Sequence, residues 1–269
     1  MKLQPNLAQI LEVCCDLATR AGDEIMKVYN DEKLFLQVET KSDSSPLTIA
    51  DKRANKLIVE GLRANFPDYA ILSEEEKDDK SRRQNPLCFI VDPLDGTKEF
   101  IKRNGQFTVN IALAQEQSVV LGVIFVPATG DLYYAAQKIG SFYKNPQGEV
   151  FENHVSNTVG FDKPENIRLV MSSSHGSPIM EQLIEKYGFT NFVKMGSSLK
   201  GCLVARGDAE IYYRHGLTCE WDTAAMQCIA EQAGAIFRQM DGSKMLYNRE
   251  NTLNEKGFYI INDAKNILI

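Results

Sequence analysis

The chain has 269 residues, 43% of them hydrophobic and 25% charged, which suits one large or two smaller folded domains and argues against disorder. Its formal net charge of −6 leaves no basic footprint for a nucleic-acid polymer, so an anionic ligand would need local cations, from Lys and Arg or from metal. Residues 1–9 lack a basic stretch followed by an apolar run, and no apolar stretch is long enough to span a bilayer, so a cytoplasmic protein is expected.

In chain order, Leu7, Ile10, Cys14, Leu17, Ala21, Ile25 and Val28 recur at spacings of three and four and predict an amphipathic helix. Cys14 and Arg20 satisfy the C-x5-R spacing of cysteine phosphatases by chance, because a helix cannot form the phosphate loop. Residues 43–46 read as a loop. A second helix starts at Thr48, with Ala50, Ala54, Leu57, Ile58, Gly61 and Leu62 on one face, and ends near Pro67. Segments 69–72, 87–91, 107–114, 119–126 and 131–136 are rich in β-branched and aromatic residues and suggest an antiparallel meander. The polar stretch 145–165 fits a domain boundary, giving an N-terminal α+β half (1–155) and a C-terminal α/β half (156–269). Beyond it strands at 168–173, 192–195 and 208–213 alternate with helices at 178–187, 198–206 and 221–232, an α/β pattern. Cys14, Cys15, Cys88, Cys202, Cys219 and Cys228 form no C-x-x-C pair and read as small hydrophobes of a reducing compartment.

The most informative segment is Asp92-Pro93-Leu94-Asp95-Gly96-Thr97. An apolar strand runs into two acids three apart, and a short helix is expected from Lys98. Pro93 fixes φ and Gly96 permits a tight turn, so both carboxylates and the Leu94 carbonyl can converge where a hard divalent cation wants oxygen ligands. The amides at the start of the following helix can hold a phosphate. Helix capping by Asp95, with Asp92 in a turn, stays open as the plainer reading. Glu74 directly follows a strand and is best placed to join the acids, whereas Glu75 and Glu76 read as a solvated loop. Asp51 lies three residues after Thr48, a capping-box spacing that is compatible with positioning a water. Asp222 stands at a helix start, where an acid also favours the macrodipole.

Taken together, Pro46-Leu47-Thr48-Ile49-Ala50-Asp51, Leu72-Ser73-Glu74-Glu75, residues 92–97 and Trp221-Asp222-Thr223-Ala224-Ala225 resemble the lithium-sensitive inositol monophosphatase superfamily. Lys98-Glu99-Phe100-Ile101-Lys102-Arg103-Asn104-Gly105, Phe107-Thr108-Val109-Asn110-Ile111-Ala112-Leu113 and Gly196-Ser197-Ser198-Leu199-Lys200 are similar to its 3'(2'),5'-bisphosphate nucleotidase branch. The resemblance runs from the first helix to about Gly234 and implies a layered αβαβα sandwich of the lithium-sensitive sugar-phosphatase type. It implies two to three Mg²⁺ ions. Glu74, Asp92, the Leu94 carbonyl and Thr97 would organise the first, and Asp92, Asp95 and Asp222 the second, with a third near Glu74. Asp51 and Thr97, with Glu74, would activate the attacking water, and the Gly96 and Thr97 amides would bind the scissile phosphate beside Asp95 and Asp222. His175, Ser197, Lys200 and Arg214 match positions that contact the nucleotide's other phosphate.

The implied reaction is hydrolysis of adenosine 3',5'-bisphosphate to AMP and phosphate, with 3'-phosphoadenylylsulfate as second substrate, in sulfate assimilation. Metal ions suit an acid-rich site in a chain with only His154, His175 and His215. The alternatives are an inositol monophosphatase or broader sugar phosphatase and, in another class, a non-catalytic metal or nucleotide sensor. A haloacid-dehalogenase phosphatase is opposed by spacing, since its acids form D-x-D. A monomer or homodimer, and peripheral association with the inner membrane face, are left open.

Overall fold

The computed structural model describes residues 5–35, 38–40, 46–161, 163–173 and 177–268. The expected 43–46 loop lies largely outside these residues, and His175 lies wholly outside them. Helix α1 (Leu7–Tyr29) is capped by Asn6, whose side chain accepts from Gln9 N at 3.3 Å, and it buries its Ile10, Cys14, Leu17, Ala21, Ile25 and Val28 stripe. The short α2 (Glu32–Phe35) leads to an antiparallel pair, β1 (Val38–Thr40) and β2 (Pro46–Thr48), and then to α3 (Ile49–Asn65).

A seven-stranded sheet follows from β3 (Ala70–Ser73), β4 (Leu87–Asp95), β5 (Thr108–Gln115), β6 (Ser118–Val126), β7 (Asp131–Ala136), β8 (Gly140–Lys144) and β9 (Val150–Glu152), in that spatial order, with α4 (Thr97–Ile101) between β4 and β5. Most of it is the expected meander, but β3 pairs parallel to β4, so the first pair corrects that expectation. The reason is the long crossover between them, which returns the chain to the start of β4 before pairing begins. The polar stretch expected to be a boundary also carries β9, an edge strand paired to β8.

A five-stranded sheet is built from β10 (Arg168–Ser172), β11 (Asn191–Met195), β12 (Ile211–Arg214), β13 (Ile236–Gln239) and β14 (Phe258–Ile261), with α5 (Pro178–Tyr187), α6 (Leu199–Ala205) and α7 (Glu220–Gln232) interspersed. Its spatial order is β11-β10-β12-β14-β13. The last two strands lie beyond the segment that the sequence pattern covered.

Alternation along the strands explains the layers. On β4 and β5, Phe89, Val91, Ile111 and Leu113 face the cluster containing α1 and α3, while Cys88, Ile90, Ala112 and Ala114 face the one containing α7. On the second sheet Val170, Tyr212 and Ile260 join that same α7 cluster, and Leu169, Ile211 and Ile261 pack with Met180 of α5. The result is the αβαβα sandwich, with α6 and α7 as the middle layer. Gly122 on β6 lets α7 sit down on the sheet, since a Cβ there would lie 2.4 Å from the Ala225 carbonyl oxygen. All six cysteines are free. Burial pushes the Cys14 thiol well above its ordinary range, which removes the nucleophile of the chance C-x5-R match. Among the described residues, no helix is long and apolar enough to cross a membrane.

Candidate active site

The end of β4 explains how two acids three apart can share a face. In a regular strand, residues i and i+3 point to opposite sides. Here Asp92 pairs with Asn110 and Asp95 with Thr108, so the β4 side of the ladder holds one extra residue in a bulge at Pro93-Leu94. That insertion brings both carboxylates to one side. Asp92 is buried, and its Oδ1 accepts from Leu94 N at 3.1 Å. Asp95 does not cap the helix that follows; Gly96 takes the cap position at φ +90°, without a side-chain cap bond. Asp95 Oδ2 accepts instead from Ser197 Oγ at 2.6 Å and from Ser198 N and Oγ, both at 2.7 Å.

Asp222 comes from the other half, on the first turn of α7, where its Oδ2 accepts from Cys219 N at 2.6 Å. The α7 seat on β5 and β6 carries it to Asp92 and Asp95, and the three offer ligand oxygens all within 4.8 Å of one another. Glu74, anchored where its N–H continues the ladder to Val91 O at 3.1 Å, hydrogen-bonds the Asp92 carboxyl. Burial, then the negative charges of Glu74, Asp95 and Asp222, push Asp92 well above the usual carboxylate range. Asp222 is pushed up to about 8, by burial and then by Asp95. Four acids crowded in a low-dielectric pocket are stable as carboxylates only beside a cation, and all donors are hard oxygens, so the residues fit a divalent metal of the Mg²⁺ type.

Asp51 takes the capping role that its spacing allowed and turns its other oxygen toward Thr97. Oδ2 closes the capping box on Thr48 N (2.8 Å) and Oγ1 (2.6 Å), while Oδ1 faces Thr97 Oγ1 at 3.4 Å. Burial pushes it up to about 6 against the Thr48 hydrogen bonds. Thr97 Oγ1 also approaches the Leu94 carbonyl at 3.5 Å.

A cavity of about 370 Å³ is lined by Glu74, Asp92, Asp95 and Asp222 together with Ser197, Lys200, Tyr212, Arg214 and Leu217. Lys200 is buried, donates to the Ser197 carbonyl and lies 5.6 Å from the Tyr212 ring centre; burial pulls its pKa down to about 8. Arg214 Nε is buried and has no hydrogen-bond partner among the described residues. That orphaned donor on a cavity wall marks a place for an anion. Ser197 holds φ at +53° and spends its hydroxyl on Asp95 and Thr108 Oγ1.

Several supporting residues escaped the sequence reading. Asn55, one turn after Asp51, receives Ser73 Oγ at 2.7 Å and donates to Glu76 at 2.9 Å, so Glu76 is not merely a solvated acid; it braces the Glu74 turn. Asn110 Nδ2 donates to Ser198 Oγ at 2.9 Å, and Gln106 Oε1 accepts from Gly196 N at 2.8 Å. Thr108, Asn110 and Ser198 did lie inside segments matched to the nucleotidase branch, and that identity was the signal available.

Residues 6–266 match the sequence profile of the inositol monophosphatase family. The chain belongs to the inositol monophosphatase family. Within it, the chain is 41% identical over 252 residues to the 3'(2'),5'-bisphosphate nucleotidase CysQ of Salmonella typhimurium, covering 93% of this chain and 99% of that protein. The crystal structure of CysQ from Bacteroides thetaiotaomicron, a bacterial member of the inositol monophosphatase family, matches with a TM-score of 0.82 at 37% identity, over 95% of this chain and 98% of that one. The IMPase of Thermotoga maritima matches with a TM-score of 0.76 at 25% identity, over 94% and 92% of the two chains. The αβαβα sandwich is therefore this family's fold, and the acid cluster lies where its two sheets meet α7.

Proposed function

We propose that this protein is a Mg²⁺-dependent 3'(2'),5'-bisphosphate nucleotidase that hydrolyses adenosine 3',5'-bisphosphate to AMP and phosphate, with 3'-phosphoadenylylsulfate as a second substrate. The observation that carries it is a four-acid cluster, buried at Asp92 and half-buried at Glu74, Asp95 and Asp222, that shares one cavity with the cations Lys200 and Arg214. A substrate with two phosphates matches both, one phosphate at the metal that the acids would hold and the other at the cations. Identity of about 40% to CysQ enzymes over nearly the whole chain supports the same reading.

Glu74, Asp92, the Leu94 carbonyl, Asp95, Asp222 and Thr97 would hold two to three ions. When bound, magnesium supplies positive charge to the phosphoryl and leaving oxygens and lowers the pKa of water. The chain does the rest. Asp51 Oδ1 and Thr97 Oγ1 form a hydrogen-bonded pair that orients the attacking water and takes its proton, since Asp51 Oδ2 is already committed to Thr48. Glu74, near enough for its charge to act on Asp51, assists. The Gly96 and Thr97 amides hold the scissile 3'-phosphate, and Lys200 and Arg214, with His175 and the backbone N–H of Ser197, hold the 5'-phosphate by charge-assisted bonds. In this scheme the chain divides at about residue 155, the first half carrying most of the metal ligands and the second the substrate contacts.

The test is kcat/KM for adenosine 3',5'-bisphosphate, its sulfated relative and inositol 1-phosphate. The bisphosphate should be preferred by at least about tenfold, the worth of one charge-assisted hydrogen bond. A preference for inositol 1-phosphate would move the assignment to inositol monophosphatase.

A further inference from the structure

The acid cluster draws Glu74 from a turn of the first sheet and Asp222 from a helix of the other half, so something must hold those two pieces in register. A buried polar chain away from the cavity links them. Glu74 opens the turn that leads to Asp78 and to the 3₁₀ turn Ser81–Gln84. Arg82, only 4% exposed, clamps Asp78 with Nε (3.1 Å) and Nη2 (2.9 Å). The same guanidinium crosses to the C-terminal half, where Nη1 donates to Asn248 Oδ1 at 2.7 Å and Nη2 to the Arg249 carbonyl at 2.8 Å. Asn248 answers with Nδ2 on the carbonyls of Arg82 (3.3 Å) and Asn85 (3.2 Å).

Behind Asn248 stands Glu220, fully buried and two residues before Asp222. Its carboxylate accepts the backbone N–H of Asn248 at 2.6 Å and of Arg249 at 2.9 Å, and Arg249 Nε at 3.2 Å. Arg249 continues to Asn254 Oδ1 at 2.6 Å, and Asn254 Nδ2 grips Cys219 O at 2.8 Å and Thr223 Oγ1 at 3.2 Å on either side of Asp222. Asn248 holds φ at +55°, a left-handed conformation that Asn adopts more readily than most residues.

We propose that Arg82 and Asn248 are positioning residues, a buried bridge that sets the Glu74 turn against the start of α7 and thereby fixes the spacing of the metal ligands. The inference rests on reading Glu74 and Asp222 as ligands. Mg²⁺ demands near-ideal octahedral geometry, so a small error in that spacing is felt as affinity. Groups that orient ligands from behind typically change metal affinity by 10–100-fold.

Asn248→Gly is the cleanest cut, because glycine keeps the left-handed backbone and both amide bonds to Glu220 while removing the side chain that meets Arg82. Arg82→Lys provides a second break that retains a buried cation. Calorimetric titration of Mg²⁺ into the metal-free full chain should show affinity weakened at least about tenfold in both. A role confined to stability would lower Tm in EDTA and leave Mg²⁺ affinity unchanged, which overturns the bridge. Glu74→Gln serves as reference. If it weakens Mg²⁺ binding and the two bridge variants do not, the bridge alone is wrong. If Glu74→Gln also leaves binding unchanged, the ligand reading fails and the bridge with it.

Discussion

Lys200 should give the bisphosphate KM a pH dependence that a simple surface lysine could not. It is buried under the Ser197 loop, and the displacement of its pKa from 10.5 to about 8 arises first from burial, opposed by Asp95 and reinforced by Arg214. That displacement corresponds to roughly 3 kcal/mol against holding the charge. A phosphate arriving beside Lys200 restores the charged form, so binding takes up a proton above pH 8. KM should therefore be flat below about pH 7 and rise about tenfold per pH unit above about 8. In Lys200→Arg, whose guanidinium stays charged, the alkaline rise should disappear. The stability effect has the opposite sign. Between about 8 and 10.5 the unfolded chain binds more protons than the folded one, so stability rises with pH across that window and the full cost is present below it. Lys200→Met should accordingly raise Tm at pH 7 by several degrees while raising KM roughly 10–100-fold, the worth of one hydrogen bond to a charged group. Steady-state kinetics from pH 6.5 to 9.5 at saturating Mg²⁺ tests this, and a wild-type KM that does not change over that range refutes the reasoning.

Three further outcomes are expected. Arg214→Ala should raise KM for the bisphosphate roughly 10–100-fold and for a simple monophosphate far less; equal effects would remove the second-phosphate role. Asp51→Asn should lower kcat by roughly 10²–10⁴ with little change in KM. The wild-type rate should fall with acidity at or below about pH 6, where the raised Asp51 carboxyl takes up its proton; a rate unchanged down to pH 5 would exclude Asp51 as the base. Gly122→Ala forces α7 off the sheet, since its Cβ would meet Ala225 O at 2.4 Å, and should cost about 1–3 kcal/mol together with activity through Asp222; thermal melting beside kinetics checks both.

The part of the site legible in sequence was the part encoded locally. Asp92, Pro93, Asp95 and Gly96 lie within five positions, and Thr48 with Asp51 makes a capping box, so chain geometry alone brought them near the right arrangement. The bulge that turns Asp92 and Asp95 to one face was hidden, because it depends on which residues of β5 oppose them. The parallel β3–β4 pair was misread as part of a meander for a similar reason: strand composition carries no direction. Strands β13 and β14 are four residues each and separated by a long connection, too short for periodicity to speak. Asn55, Ser198, Asn248 and Asn254 are buried polar residues whose meaning exists only once distant segments meet, and a single Asn in a sequence reads as a turn.

In the proposed function the carboxylates of the β4 bulge hold magnesium for hydrolysis of a bisphosphate. Phosphate release from adenosine 3',5'-bisphosphate, measured against Mg²⁺ concentration for the wild type and Asp92→Asn, tests it most directly. The wild type should be inactive in EDTA, restored by Mg²⁺ and inhibited by Ca²⁺ and Li⁺, and Asp92→Asn should remain inactive at any Mg²⁺ level. Near-normal turnover by Asp92→Asn, or by the wild type in EDTA, would contradict the account.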